Sequence, residues 1–156
     1  LPGRARVEVA LSPTLAAGLA GVRDAMRDYP YTCLEQQVSR AVALGDDALW
    51  ETIVHAMPGA QDGAGLLKFF PTQERGSVEL TAYVLALAAA AGKPLPEDLR
   101  GTLATALARF VDGNLREPPA PWGGNDTLRR LAAMEALARH DALRPDMLES
   151  LTIEPE

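Results

Sequence analysis

The stretch SVELTAYVLALAAAAG, residues 77–92, limits the possible folds of this chain more than any other. Leu80, Tyr83, Val84, Leu87, Ala88 and Ala91 recur at i, i+3, i+4, i+7, i+8 and i+11, the period of one apolar face of an amphipathic α-helix. Two other stretches are alike in kind: QQVSRAVALG, from residue 36, and LRRLAAMEALARHD, from residue 128. Each is alanine-rich, and they lie a little over 40 residues apart. This suggests a repeat of helix pairs, because alanine lets helix axes approach closely, as in arrays and toroids of helix hairpins. An irregular helical bundle satisfies the same periodicity.

Between these stretches the punctuation is also helical. Ser12 and Pro13 read as an N-cap and first-turn proline, with Leu15, Leu19, Val22 and Met26 following at helical spacing up to Pro30. A second helix is expected from Cys33 to about Leu44, stopped by Gly45, and a third from Asp46 to Met57. A loop from Pro58 to Gly76 precedes the central stretch. Pro96 to Val111 repeats the pattern through Leu99, Leu103, Ala106, Leu107 and Phe110, with Gly113 as the stop. After the loop REPPAPWGGN, Asn125 or Asp126 caps a helix from Thr127 to His140, and a short helix around Pro145 to Leu151 follows. The one strand pattern is the alternation of Val7, Val9 and Leu11 with Glu8 and Ala10. A lone strand cannot satisfy its own backbone, so residues 1–11 are read as belonging to a neighbouring β domain. The start LPGRARVEVALSP, without an initiator Met or a signal-peptide pattern, likewise reads as a segment of a longer protein.

With 156 residues, 47% of them hydrophobic, the chain fits one domain with a continuous core, and no apolar run approaches the ~18 residues of a membrane span. Fifteen basic residues against 21 acidic ones leave a net charge of -6, and the basic ones are scattered, which argues against nucleic acid as a partner. One cysteine and two separated histidines give no disulfide and no zinc-type spacing, and no cofactor is indicated.

That cysteine lies in YPYTCLEQQ, residues 29–37. Thr32 and Glu35 fit the T-x-x-E capping box, which would place Cys33 in the first turn, facing the positive end of the helix dipole. Residues three apart share a helix side, so Gln36 can bring its carboxamide against the Cys33 sulfur. A thiolate so placed can displace ammonia and leave a thioester between the two side chains, an electrophile that survives only where water is kept away. Tyr29 and Tyr31 stand beside it as candidate shields. By spacing alone, Cys-x-x-Gln fits a half-buried cysteine beside a capping box better than it fits a thioester.

The longer segment YPYTCLEQQVSR resembles the thioester motif of the bacterial alpha-2-macroglobulin family, in which an aromatic-Pro-aromatic lead runs into Cys-Leu-Glu-Gln and then a Ser-Arg pair. Here these are Tyr29, Pro30, Tyr31, Cys33, Leu34, Glu35, Gln36, Ser39 and Arg40, with Thr32 where the family carries glycine. VEVALSPTL is similar to the strand leading into that domain, and GLLKFFP with LTAYVLALAAAAG to the loop and inner helix after it. The resemblance is generic beyond about Gly92. It implies an all-α fold, part of an α/α toroid over residues 12–156, within a multidomain proteinase inhibitor rather than an enzyme. Cleavage of a bait region elsewhere would expose the Cys33–Gln36 thioester, which then acylates lysine amines of the attacking proteinase once. It further implies contacts with neighbouring domains of the parent inhibitor, a periplasmic location with a lipoprotein anchor in the inner membrane, and work beside a peptidoglycan synthase.

The competing readings are a helical-repeat interaction module in which Cys33 is inert and, ranked last, a toroid enzyme, for which no pair of carboxylates or Cys/His arrangement is identifiable. His55 and His140 match no motif and read as a polar residue on an exposed helix side and a helix C-terminal residue. Trp50 reads as core, Trp122 as a plug or binding edge in its loop, and Lys68 as a solvated stem over Phe69 and Phe70 or a contact to the thioester region.

Overall fold

In the computed structural model, which describes residues 20–118, 125–149 and 151, seven α-helices occupy the described residues and the only β feature is one isolated bridge, Gln61 to Leu67. They are α1 (Ala20–Arg27), α2 (Leu34–Leu44), α3 (Asp47–Ala56), α4 (Val78–Ala90), α5 (Glu97–Val111), α6 (Asp126–Ala138) and α7 (Pro145–Glu149). The all-α class expected from the periodicity is what the described residues adopt. The strand at residues 7–11, the Ser12–Pro13 cap and Trp122 lie outside them.

Most boundaries follow from local chemistry. Gly45 ends α2 in the left-handed conformation, φ 66°, and its N–H returns to the carbonyls of Ala41 and Val42. Asp46 caps α3 through the Leu49 N–H, Ser77 caps α4 through Leu80, and Asn125 caps α6 through Thr127 and Leu128. After α3 the chain tightens into a 3-10 turn over Met57–Ala60, which carries helical backbone past Met57 into the first residues of the expected loop.

Helices α2, α4 and α6 lie side by side, with α4 packed most extensively on α6, while α3 pairs with α2 and α5 packs against both α4 and α6. These neighbours are the three alanine-rich stretches. The core runs through Val38, Trp50, Ile53, Met57, Leu66, Leu67, Val84, Leu85, Leu103, Leu107 and Leu137.

The central helix corrects one expectation. Instead of burying one stripe, α4 buries Val78, Leu80, Thr81, Ala82, Val84, Leu85 and Ala88, spread around its axis. Tyr83, placed on the apolar face by the spacing, is among the exposed large hydrophobic residues. A helix flanked by α2, α5 and α6 has little free side left, and apolar residues all round are what such a position requires.

The segment between α3 and α4 is built around two side chains. One oxygen of Asp62 accepts from the N–H groups of Ala64 and Leu66, and the other from Gly76 at 2.8 Å. Thr81 accepts from the Leu67 N–H at 2.9 Å and donates to the Ser77 carbonyl. Gly76 is required where it stands, because a Cβ there would collide with the Leu66 carbonyl.

Candidate functional site

The start of α2 brings Cys33 and Gln36 together, but in a frame one residue later than T-x-x-E predicts. Cys33, not Thr32, is the N-cap, with φ -66° and ψ 157°, and α2 begins at Leu34. The Cys33 N–H donates to Gln36 Oε1 at 3.3 Å. In return the sulfur faces the backbone N–H of Gln36, a loose contact short of full hydrogen-bond geometry. The reciprocal box is therefore made by Cys33 and Gln36, and Thr32 and Glu35 take no part in it. Thr32 instead offers its carbonyl to Gln37 Nε2 at 2.5 Å, and the Glu35 carbonyl accepts from the Ser39 hydroxyl at 2.7 Å.

The thiol is enclosed: Cys33 is 6% exposed, and the first helical N–H, of Leu34, donates to the Phe69 carbonyl at 2.9 Å. That bond carries the segment held by Asp62 and Thr81 up against the cysteine. Tyr29 and Tyr31 meet edge to face with ring centroids 5.3 Å apart; Tyr29 is half-buried, while Tyr31 is 62% exposed. Lys68 turns to the Pro71 carbonyl at 3.2 Å.

The Ser39 and Arg40 pair is structural in its contacts. Ser39 Oγ lies 2.7 Å from the Tyr83 hydroxyl, joining α2 to α4. Arg40 donates to the carbonyl of Arg27, the last residue of α1, and Arg23 of α1 donates to the carbonyl of Leu44, the last residue of α2. The two antiparallel helices thus satisfy each other's terminal carbonyls, and the turn between them is the YPYT segment. Nothing in the spacing announces Tyr83, Phe69, Arg23 or Arg40 as supports of this turn. Each acts across a distance in sequence that only the packing reveals.

The histidines stay apart from this arrangement in their contacts. His140 lies just beyond α6 with Nε2 2.9 Å from the Leu85 carbonyl, and His55 is exposed near the end of α3. Trp50 is core, at 4% exposure. Among the described residues no group of three His, Cys, Asp or Glu side chains is placed to hold a metal ion, and no helix is long and apolar enough to cross a membrane.

A second polar cluster holds α4, α5 and α6 together. Arg129, 5% exposed, donates to Glu79 at 2.7 Å, to the Glu117 carboxylate and to the Glu117 carbonyl, over the face of Phe110 at 5.0 Å. Burial pushes the Glu117 carboxyl above its ordinary range, with the charges of Glu79 and Asp62 adding to it and Arg129 opposing. Burial acts on Glu79 in the same sense, but its own backbone N–H, the Ser77 hydroxyl and Arg129 outweigh it and hold that carboxyl below the ordinary range.

No protein-family model matches this chain, and no curated protein or solved structure is significantly similar to it.

Proposed function

We propose that the chain is the thioester domain of a bacterial alpha-2-macroglobulin-like proteinase inhibitor, and that Cys33 and Gln36 are its reacting pair. The observation that carries this reading is the reciprocal box. One backbone N–H holds the Gln36 carbonyl oxygen while the other faces the Cys33 sulfur, so the box orders both reactants before any bond forms. The thiol sulfur attacks the Gln36 side-chain carbon, the carbon–nitrogen bond breaks, and ammonia leaves with the thiol proton. When a lysine amine of a proteinase attacks that carbon, the sulfur leaves as a thiol, taking the amine's proton, and Gln36 is joined to the target by an amide bond. The event occurs once per molecule, so the domain inhibits and does not turn over.

The buried sulfur supports storage of such a bond, since water must be excluded from it. The neighbouring placement of α2, α4 and α6 supports an α/α toroid of which this chain forms an arc. A periplasmic parent, a bait region and contacts to its other domains belong to the same proposal, resting on the motif from Tyr29 to Arg40.

Intact mass tests it directly. The native chain is expected one ammonia lighter than its sequence, and methylamine is expected to add to Gln36 while freeing the thiol. A thiol that titrates at once with a disulfide reagent, beside an unmodified Gln36, would overturn the presence of the bond in this chain.

One observation favours the second reading, a helical-repeat interaction module with an inert cysteine. Cys33 already has a structural task as the N-cap of α2, and that task needs no chemistry. The two readings separate on Cys33→Ser, which keeps a capping side chain but cannot form a thioester.

A further inference from the structure

At the end of α2 opposite the cysteine, about 16 Å along an eleven-residue helix, the structure forms a groove of about 910 Å3 between α3 and the segment linking α4 to α5. Gly45, after α2, and Ala91, after α4, both line it, as do residues at the starts of α3 and α5. Its wall is apolar, made by Trp50, Val54, Leu95 and Leu99, and Pro58, Pro94 and Pro96 stiffen the rim. The volume lies in the usual range for a bound small molecule or a short peptide segment.

Charge decides what such a groove accepts. The C-terminal ends of α2, α3 and α4 and the N-terminal ends of α3 and α5 border the groove, so their dipoles, each about half a charge, offset one another except for a small negative excess. The titratable side chains of the lining are Asp47, Glu51, His55, Lys93 and Asp98. Lys93 is paired with Asp47, which neutralises both. Glu51 and Asp98 have no ion pair among the described residues and remain exposed beside the apolar wall. Trp50 supplies a further unmet requirement: it is 4% exposed, and its indole N–H is buried with no acceptor. A carbonyl group entering the groove beside Trp50 would supply that acceptor.

We propose that this groove binds an extended peptide segment that alternates bulky apolar and basic side chains. The apolar residues lie on Val54, Leu95 and Leu99, the basic ones meet Glu51 and Asp98, and a peptide carbonyl faces Trp50. An anionic membrane surface is disfavoured by the same two carboxylates.

The test uses the whole chain carrying Trp122→Phe, so that Trp50 alone reports. An acetylated, amidated hexapeptide alternating leucine and lysine is titrated against its fluorescence, with the leucine–glutamate peptide as counterpart. Saturable binding of the lysine peptide, no response to the glutamate peptide, and about a tenfold loss of affinity in Glu51→Gln/Asp98→Asn are expected. Both substituted residues are exposed, and circular dichroism checks that the double variant keeps its helices. Equal binding of the two peptides, no binding of either, or lysine-peptide binding unchanged in the double variant would each overturn the proposal.

Discussion

The N–H of Leu34 donates to the carbonyl of Phe69 at 2.9 Å, so the helix start that presents Cys33 is tied to a segment more than thirty residues further on. The segment is in turn ordered by Asp62, whose carboxylate accepts three backbone N–H groups. Asp62→Ala leaves those donors without their acceptor and is expected to cost on the order of 3 kcal/mol. Urea unfolding measures the loss, and amide exchange should quicken at Leu66, Gly76 and Leu34 together. Protection retained at Leu34 would show that the cysteine turn holds without this support.

At Cys33 the fold and the chemistry can be separated. Cys33→Ser is expected to change stability by less than about 1 kcal/mol, and Cys33→Ala to cost about 1 kcal/mol through lost packing of the buried sulfur. Neither variant can form an adduct with methylamine. Thermal melts and mass spectra of the same samples check both statements.

Arg129→Met removes the cation shared by Glu79 and Glu117 while keeping much of the volume. The expected cost is on the order of 3 kcal/mol, at the low end for a broken buried pair because Glu79 retains access to water. Denaturant midpoints at one pH measure it. A neutral result would mean that the two carboxylates are already hydrated without their cation.

The two glutamates should respond to pH with opposite sign. Glu79 has its folded pKa below the unfolded value, so its contribution is present above the unfolded pKa and is lost as pH falls through the folded one. Glu117 has its folded pKa above the unfolded value, so the folded state binds its proton more readily. Stability from that group therefore falls as pH rises through the folded pKa. At neutral pH Glu79→Gln is expected to destabilise more than Glu117→Gln. The gap should close as pH falls below the ordinary carboxylate range, about pH 4. Urea titrations at several pH values follow it.

The helices were legible because each carries its own period and stop: Gly45 after α2, Asp46 before α3 and Ser77 before α4 act locally. The capping box was legible only to within one residue, because T-x-x-E and C-x-x-Q overlap in adjacent frames. Which residue leaves helical dihedrals depends on the turn in front of it, and that turn joins two helices cross-linked by Arg40 and Arg23. Arg129 and Arg130 are adjacent and chemically alike, and only burial against Phe110, Glu79 and Glu117 separates them. For α4 the apolar spacing fits one face, whereas tertiary neighbours on several sides make most of its surface interior. Thr81, polar and fully buried, is explained by the Leu67 N–H it receives, which no local pattern contains.

The Asp62 to Gly76 hydrogen bond also gives the segment between α3 and α4 a different character from a linker. Its two ends are joined through one side chain, which makes it an Ω-loop, a folded piece with its own closure. Tolerance to added sequence should then be uneven within it. Residues 71–75 are all exposed, and a short tag inserted between Gln73 and Glu74 is expected to leave the melting temperature nearly unchanged. The same tag between Gly65 and Leu66 would part the donors that Asp62 gathers, and with them the seat of the Phe69 carbonyl beneath α2.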